Sequence, residues 1–288
     1  MEQLYEFIGE TRQNYHQKLK RLSRQELIEQ ELLSLVLSYR VMHPRMGSRQ
    51  LYYTMKNQGQ YMNYGVTKFE QFMSRKGLTV ATKRSKKPRT SDGKGKGDYE
   101  NLTNGLILDN INQLIVADIT YYDIAECRCY IFALKDVYSQ RFLGLIPSDN
   151  MMSLNALKCL EQMQKQRKQD KFPGCIHHSD NGSQYESDMY KDMLSEMGIK
   201  ISRAENCVQN GSIEQMNHIV KNMYLDPWRI RTRKELAIAC RKMIDVNNNE
   251  RAIKQLGNLC PVDFKKKINE MSACQRPTKQ LYDFNLWM

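Results

Sequence analysis

Leu114-Ile115-Val116-Ala117-Asp118-Ile119-Thr120-Tyr121-Tyr122 is the stretch whose reading decides the fold. Its β-branched and aromatic residues predict a buried strand. Asp118 sits in the middle of it, a carboxylate on a rigid mount. Burying that group without a partner costs several kcal/mol, so a purely structural aspartate is disfavoured there. Two further acids stand where their side chains can be held still. Asp180 follows a second short apolar run, in His177-His178-Ser179-Asp180-Asn181-Gly182-Ser183-Gln184-Tyr185, and leaves its strand just before a glycine turn. Glu214 opens the helical stretch Ser212 to Lys221, where Ser212 and Gln215 have the spacing of a capping box and the helix dipole favours an ionised carboxylate. Three converging carboxylates repel one another and raise each other's pKa. Two divalent ions between them relieve that repulsion and make a site suited to phosphodiester chemistry.

Outward from these acids the pattern is α/β. Strands are expected at 114–122, 129–135 and 141–146, joined by connections short enough for an antiparallel meander. A helix follows at 153–168, then a strand at 174–178, a helix at 187–197, a short strand at 199–202 and helices to about 250. That order predicts a mixed sheet with helices on its faces. Met189, Met193 and Met197 form one helical stripe, expected in the core. His177 and His178 alternate across a strand, so one is expected to point inward, packing or hydrogen-bonding rather than binding metal. Along the helix after Ser212, Ile213, Met216, Val220 and Met223 face the core, while Glu214, Asn217, His218 and Lys221 share the opposite face. Lys221 is then placed for a phosphate contact.

The first 80 residues read as helical. An apolar segment from Leu27 to Tyr39 stops at His43-Pro44, Ser48 is expected to cap a second helix, and Val66 to Arg75 forms a third. Two short helices around a glycine-containing turn, flanked by Arg45, Arg49 and Lys68, are compatible with a helix-turn-helix unit. From Ala81 to Gly97 no apolar side chain is available to bury. There Lys83, Arg84, Lys86, Lys87 and Arg89 stand in a basic, mobile linker. The chain carries 44 Lys and Arg against 32 Asp and Glu, a net +12. Residues 1–100 hold 19 basic and 10 acidic side chains, so +9 of that charge lies in the first third and points to a polyanion partner. Eight cysteines without a Cys-x-x-Cys pair argue against structural zinc and for reduced thiols. No leader pattern or membrane-length apolar run is present, so a cytoplasmic, nucleoid-associated location is expected.

Several stretches carry a resemblance to the catalytic subunit of insertion-sequence DDE transposases, whose core is similar to retroviral integrase. Val116 to Tyr121 resembles the first-aspartate strand of that family, and Tyr130 to Arg141 with Leu143-Gly144 the hairpin after it. His178 to Tyr185 resembles the second-aspartate motif and is the most specific match. Asn210 to Lys221 is similar to the third-acid helix, and Asn248-Asn249-Glu250-Arg251, Leu256-Gly257 and Pro261 to Phe264 to the C-terminal signature. Three features depart: Ile115 stands where tryptophan is usual, Gln209 where aspartate is common, and the loop before Glu214 is about two residues short.

The resemblance implies a ribonuclease-H-like, mixed five-stranded sheet with flanking helices, preceded by a small helix-turn-helix-like domain. Its boundaries are expected at 1–80, 81–105 for the linker, 106–226 for the core and 227–288 for a helical extension. It further implies Asp118, Asp180 and Glu214 as catalytic metal ligands for two Mg²⁺ ions, with Mn²⁺ able to substitute; the shortened loop before Glu214 makes Glu205 the rival third acid. The expected reaction is end cleavage of double-stranded DNA and strand transfer, by a homo-oligomer on DNA, with a separate helix-turn-helix subunit as a further partner. Lys221, Arg45, Arg49, Lys68 and the linker cations are the expected DNA contacts. A non-catalytic DNA-binding relative and a simple ribonuclease-H-like nuclease are the alternatives.

Overall fold

The computed structural model describes residues 5, 7, 9–60, 64–81, 99–180, 182–204 and 211–282. The run 114–117 is buried throughout and forms the start of β2 (Leu114–Asp123), the central strand. β3 (Arg128–Asp136) and β4 (Phe142–Ser148) follow as the antiparallel meander, with Asp118 opposite Ala133 on β3. After α4 (Ser153–Arg167) the chain returns as β5 (Ile176–Ser179), parallel to β2, and after α5 (Asp188–Glu196) as β6 (Lys200–Arg203), parallel to β5. The sheet order β4-β3-β2-β5-β6 is the mixed five-stranded arrangement expected. Each predicted strand is present within about two residues of its expected ends.

Both faces of this sheet are covered, which is why β2 starts as a continuous apolar run rather than an alternating one. One face packs Ile115, Ala117, Phe132 and Leu134 against α4 and α5. Sheet and helix approach closely at Gly144, where an added Cβ would lie 2.9 Å from the Cβ and carbonyl oxygen of Cys159 on α4. The other face packs Val116, Ile131 and Ala133 against α6 (Gly211–His218), its continuation Ile219–Leu225, and α7 (Arg233–Asn249). Thus residues 227–288, expected as a helical extension, contribute to the same core as the sheet. α8 (Pro261–Glu270) follows, and a last strand β7 (Lys279–Gln280) pairs with β1 (Ile107–Leu108). Asn248 covers the edge of β4: its amide donates to Phe142 O (2.8 Å) and its carbonyl accepts from Phe142 N (3.0 Å).

The first third is helical as predicted, with α1 (Arg12–Met42), α2 (Ser48–Asn57) and α3 (Val66–Arg75) around a core of Val36, Leu51, Met55, Phe69 and Phe72. Arg40 ends α1 by donating to the carbonyls of Pro44, Met46 and Leu78. This unit docks on the core. His43, fully buried, meets Tyr224 (3.2 Å) and Glu250 (2.9 Å), and Thr54 Oγ1 accepts from Ala252 N.

Three local expectations are corrected. Ser48 is the first residue of α2 and does not cap it; Gly47 is the N-cap, with no side-chain bond. Ser212 lies inside α6, which already begins at Gly211, so it does not act as the N-cap of a capping box. Met189 is 63 % exposed, because the buried face of α5 runs through Tyr190 and Leu194; Met197, just past the helix, is buried as expected. The expected basic linker, with Lys83, Arg84, Lys86, Lys87 and Arg89, and the rival acid Glu205 lie outside the described residues. Among the described residues no helix is long and apolar enough to cross a membrane.

His177 and His178 are both buried, since neither sheet face is open. His177 Nε2 bonds Tyr190 Oη at 2.8 Å and His178 Nδ1 bonds Ser202 Oγ at 2.9 Å. Burial, reinforced by Arg203 and His178, pushes the pKa of His177 down to about 3. The unfolded chain protonates this imidazole near pH 6.5 and the folded chain does not, so stability present above pH 6.5 is lost as pH falls toward 3. The expected contribution is on the order of 1.4 kcal/mol per pH unit across that window. Denaturant titrations between pH 7 and 4 check it: His177→Asn should flatten the dependence by about that slope.

Candidate active site

Asp118 and Asp180 are brought together by parallel pairing. Val116 is in register with His178, and each aspartate stands two residues further along its strand direction. The two carboxylates feel each other electrostatically. Loss of hydration is the largest influence on Asp118, and with Asp180 beside it lifts the pKa to about 6. Asp118 nevertheless keeps part of its surface open, so the carboxylate sits in a recess rather than a sealed core. Asp180, just past the end of β5, is exposed and accepts from Gly182 N at 3.1 Å. An added Cβ at Gly182 would stand 3.0 Å from Asp180 Oδ1 and from Gln184 Oε1, so a larger residue there would press on both side chains.

Arg203, which no sequence pattern singled out, holds this turn. It is 1 % exposed on β6, donates to Ser179 Oγ (2.6 Å) and Tyr185 O (2.9 Å), and pairs with Glu186 at 3.0 Å. These contacts fasten the end of β5 to the turn that follows Asp180.

α6 supplies the third side of the recess. Asn217 Nδ2 donates to Asp118 Oδ2 at 2.6 Å, while Asn217 Oδ1 is buried without a hydrogen-bond partner. Lys221 lies 4.4 Å above the Tyr121 ring and close enough to Asp118 to interact with its charge; burial pushes the lysine pKa down. Glu214 is exposed in the first turn of α6, one turn before Asn217 on the same helix face. The structure therefore brings Asp118, Asp180, Asn217 and Lys221 together, with Glu214 exposed one turn earlier on α6. Among the described residues, no three His, Cys, Asp or Glu side chains are grouped closely enough to hold a metal ion. One turn beyond Asn217 the helix widens to π geometry over Ile219–Leu225, a feature frequent at functional sites.

The donor set suits a hard divalent cation. Two carboxylates, one with its pKa raised by burial and a like charge, and an idle amide oxygen are all oxygen ligands.

The expected DNA contacts divide. Arg49 is engaged by Glu70 through two bonds of 2.8 and 3.0 Å, and Arg45 by Asn222 O and Asp226. Lys68 is exposed and lines a groove between α1 and α3 together with Arg21, Arg24, Tyr64 and Arg75. Sequence reading missed Arg21 and Arg24; their spacing on α1 relative to Lys68 depends on how the two helices cross.

Comparison with known proteins agrees with this architecture. Residues 109–206 match the family model described as Integrase core domain. A Shigella sonnei protein, the insertion element IS600 uncharacterized 31 kDa protein, is 33 % identical over 165 residues, 56 % of this chain and 60 % of its own length. The transposase for insertion sequence element IS629 of Shigella sonnei is 28 % identical over 221 residues, 70 % of this chain and 74 % of that protein. The transposase for insertion sequence element IS904 of Lactococcus lactis is 29 % identical over 158 residues, 54 % and 62 % of the two chains. The chain thus spans about three fifths of the first of these relatives. Residues 109–206 therefore resemble an integrase core domain, and the chain is similar to transposases of insertion sequences.

Proposed function

We propose that this chain is a DDE-type polynucleotidyl transferase that cuts the ends of a DNA element and joins them to a second duplex. The observation that carries the reading is the pair Asp118 and Asp180, each two residues beyond the register pair Val116 and His178, in a recess walled by α6. Asp118, Asp180 and Glu214 would hold two Mg²⁺ ions. Bound there, the ions would ease deprotonation of the attacking hydroxyl or water and stabilise charge on the leaving oxygen. Asn217 fixes the Asp118 carboxylate, and Lys221 faces the recess as a positive charge for a phosphate of the bound strand. The groove of Arg21, Arg24 and Lys68, with the linker cations, gives the first third its DNA affinity. A homo-oligomer on DNA and a separate helix-turn-helix subunit belong to the same proposal.

A second reading, a DNA-binding relative without catalysis, has one observation in its favour: among the described residues no three acidic, histidine or cysteine side chains are grouped closely enough to hold a metal ion. Incubating the full chain with a duplex carrying the element's inverted repeat separates the two. The transferase reading expects a Mg²⁺-dependent nick leaving a 3′-hydroxyl, lost with EDTA and restored by Mg²⁺. Binding of the repeat with no nick under any divalent ion leaves the second reading.

A further inference from the structure

Near the start of β2, the β3–β4 hairpin meets the end of α4, α8 and β7 around a single buried acid, Asp136. Both its oxygens are taken. Oδ2 accepts from Arg167 Nη2 (2.6 Å) and Asn112 N (2.9 Å), and Oδ1 from Ser139 N (2.9 Å). Cations outnumber it. Arg141 and Lys265 each lose affinity for their protons through burial and through repulsion from Arg167, and Lys279 through burial beside Asp136. Among the described residues only Arg167 of these four forms an ion pair, the one with Asp136.

Donors are left over in the same place. Arg167, 6 % exposed, has Nε and Nη1 buried with no partner, and Arg141 Nε, Arg276 Nε and Ser139 Oγ are idle as well. Arg276 belongs to this neighbourhood, because Tyr138 Oη donates to Pro277 O (2.7 Å) and Lys279 Nζ to Val137 O (2.9 Å). Buried donors are almost always satisfied, and buried cations are almost always compensated. Several guanidinium forks and lysines around one saturated carboxylate therefore lack an anion, and forked donors match a tetrahedral oxyanion. Arg141, Lys265 and Lys279 keep part of their surfaces open, which gives the anion a way in.

We propose that Arg141, Arg167, Lys265 and Lys279 form a phosphate-binding site separate from the Asp118 recess. Asp136 pairs with Ile115, three residues before Asp118, so the two sites lie roughly 10 Å apart along the strand. A backbone phosphate of duplex DNA and a free phosphate share the chemistry the site recognises.

The test uses the full chain, the double variant Arg141→Gln/Lys265→Gln, and Lys265→Arg, which keeps the charge. Arg167 is left intact because it holds Asp136. In the first arm, inorganic phosphate at several times its Kd should raise the wild-type Tm by about 2–4 °C over chloride at equal ionic strength. The rise should vanish in the double variant and persist in Lys265→Arg. In the second arm, duplex binding is measured against salt. A slope shallower by about 0.9 in the double variant assigns the site to one DNA phosphate, and an unchanged slope with the first-arm loss assigns it to free phosphate. A wild type that phosphate stabilises no better than chloride, or a double variant identical in both arms, overturns the site. The duplex arm rests on the DNA reading above: a wild type that binds no duplex sinks that reading, while the phosphate arm still decides this one.

Discussion

Asp118→Asn should reduce Mg²⁺-dependent cleavage of an element end by about 10³-fold or more, the upper range for loss of one preorganised electrostatic group. Its effect on the metal-free fold should have the opposite sign. The wild-type carboxylate is ionised at pH 7 against its surroundings, with a pKa raised to about 6 by burial and by Asp180. Asparagine removes that charge and can still bond Asn217, so the variant should be more stable without metal, by about 1–3 kcal/mol. Thermal unfolding in EDTA and in Mg²⁺ checks both halves. Mg²⁺ should raise the wild-type Tm and leave the variant's unchanged. A variant less stable than wild type in EDTA would mean that Asp118 is a structural anion rather than a strained metal ligand.

Arg203→Met should destabilise the chain by about 3–5 kcal/mol, as expected when one partner of a buried charged network is removed. The side chain fits the volume but leaves Ser179 Oγ and Tyr185 O without their donor and Glu186 without its cation. Because those contacts fasten the turn after Asp180, cleavage at temperatures where the variant remains folded should also fall. Denaturant unfolding measures the first effect and single-turnover cleavage the second. A loss under 1 kcal/mol with normal cleavage would show that the Asp180 turn holds itself.

The parts legible in the sequence are those set by local pattern. β2 reads as central because Leu114 to Ala117 has no polar position, and the meander follows from short connections that allow only antiparallel pairing. The juxtaposition of Asp118 and Asp180 was legible only as two acids at strand positions; their register comes from the parallel pairing of Val116 with His178. What escaped depends on tertiary geometry. Asn217 was placed on the right helix face, but its bond to Asp118 depends on the rotation of α6. The π segment 219–225 has no Pro or Gly to announce it, and it coincides with Arg45 and His43 docking on Asn222 O and Tyr224. Arg203, just past the strand expected at 199–202, was not singled out, and only the fold reveals it as buried. The Asn248 to Arg251 signature likewise gains a physical reason only in three dimensions, where it covers β4 and receives His43.

Glu214 is the residue proposed to complete the recess of Asp118 and Asp180. Glu214 lies on α6, whose buried Ile213 and Met216 lock the helix against the sheet, and a ligand on a packed helix gives better metal geometry than one on a loop. The direct measurement is Mg²⁺-dependent cleavage of an element-end duplex by Glu214→Gln and Glu205→Gln, each with its DNA affinity determined in parallel. Glu214→Gln should bind the duplex as wild type does but not cleave it, while Glu205→Gln should cleave normally. Normal cleavage by Glu214→Gln together with an inactive, DNA-binding Glu205→Gln would contradict that proposal and move the third ligand off the helix.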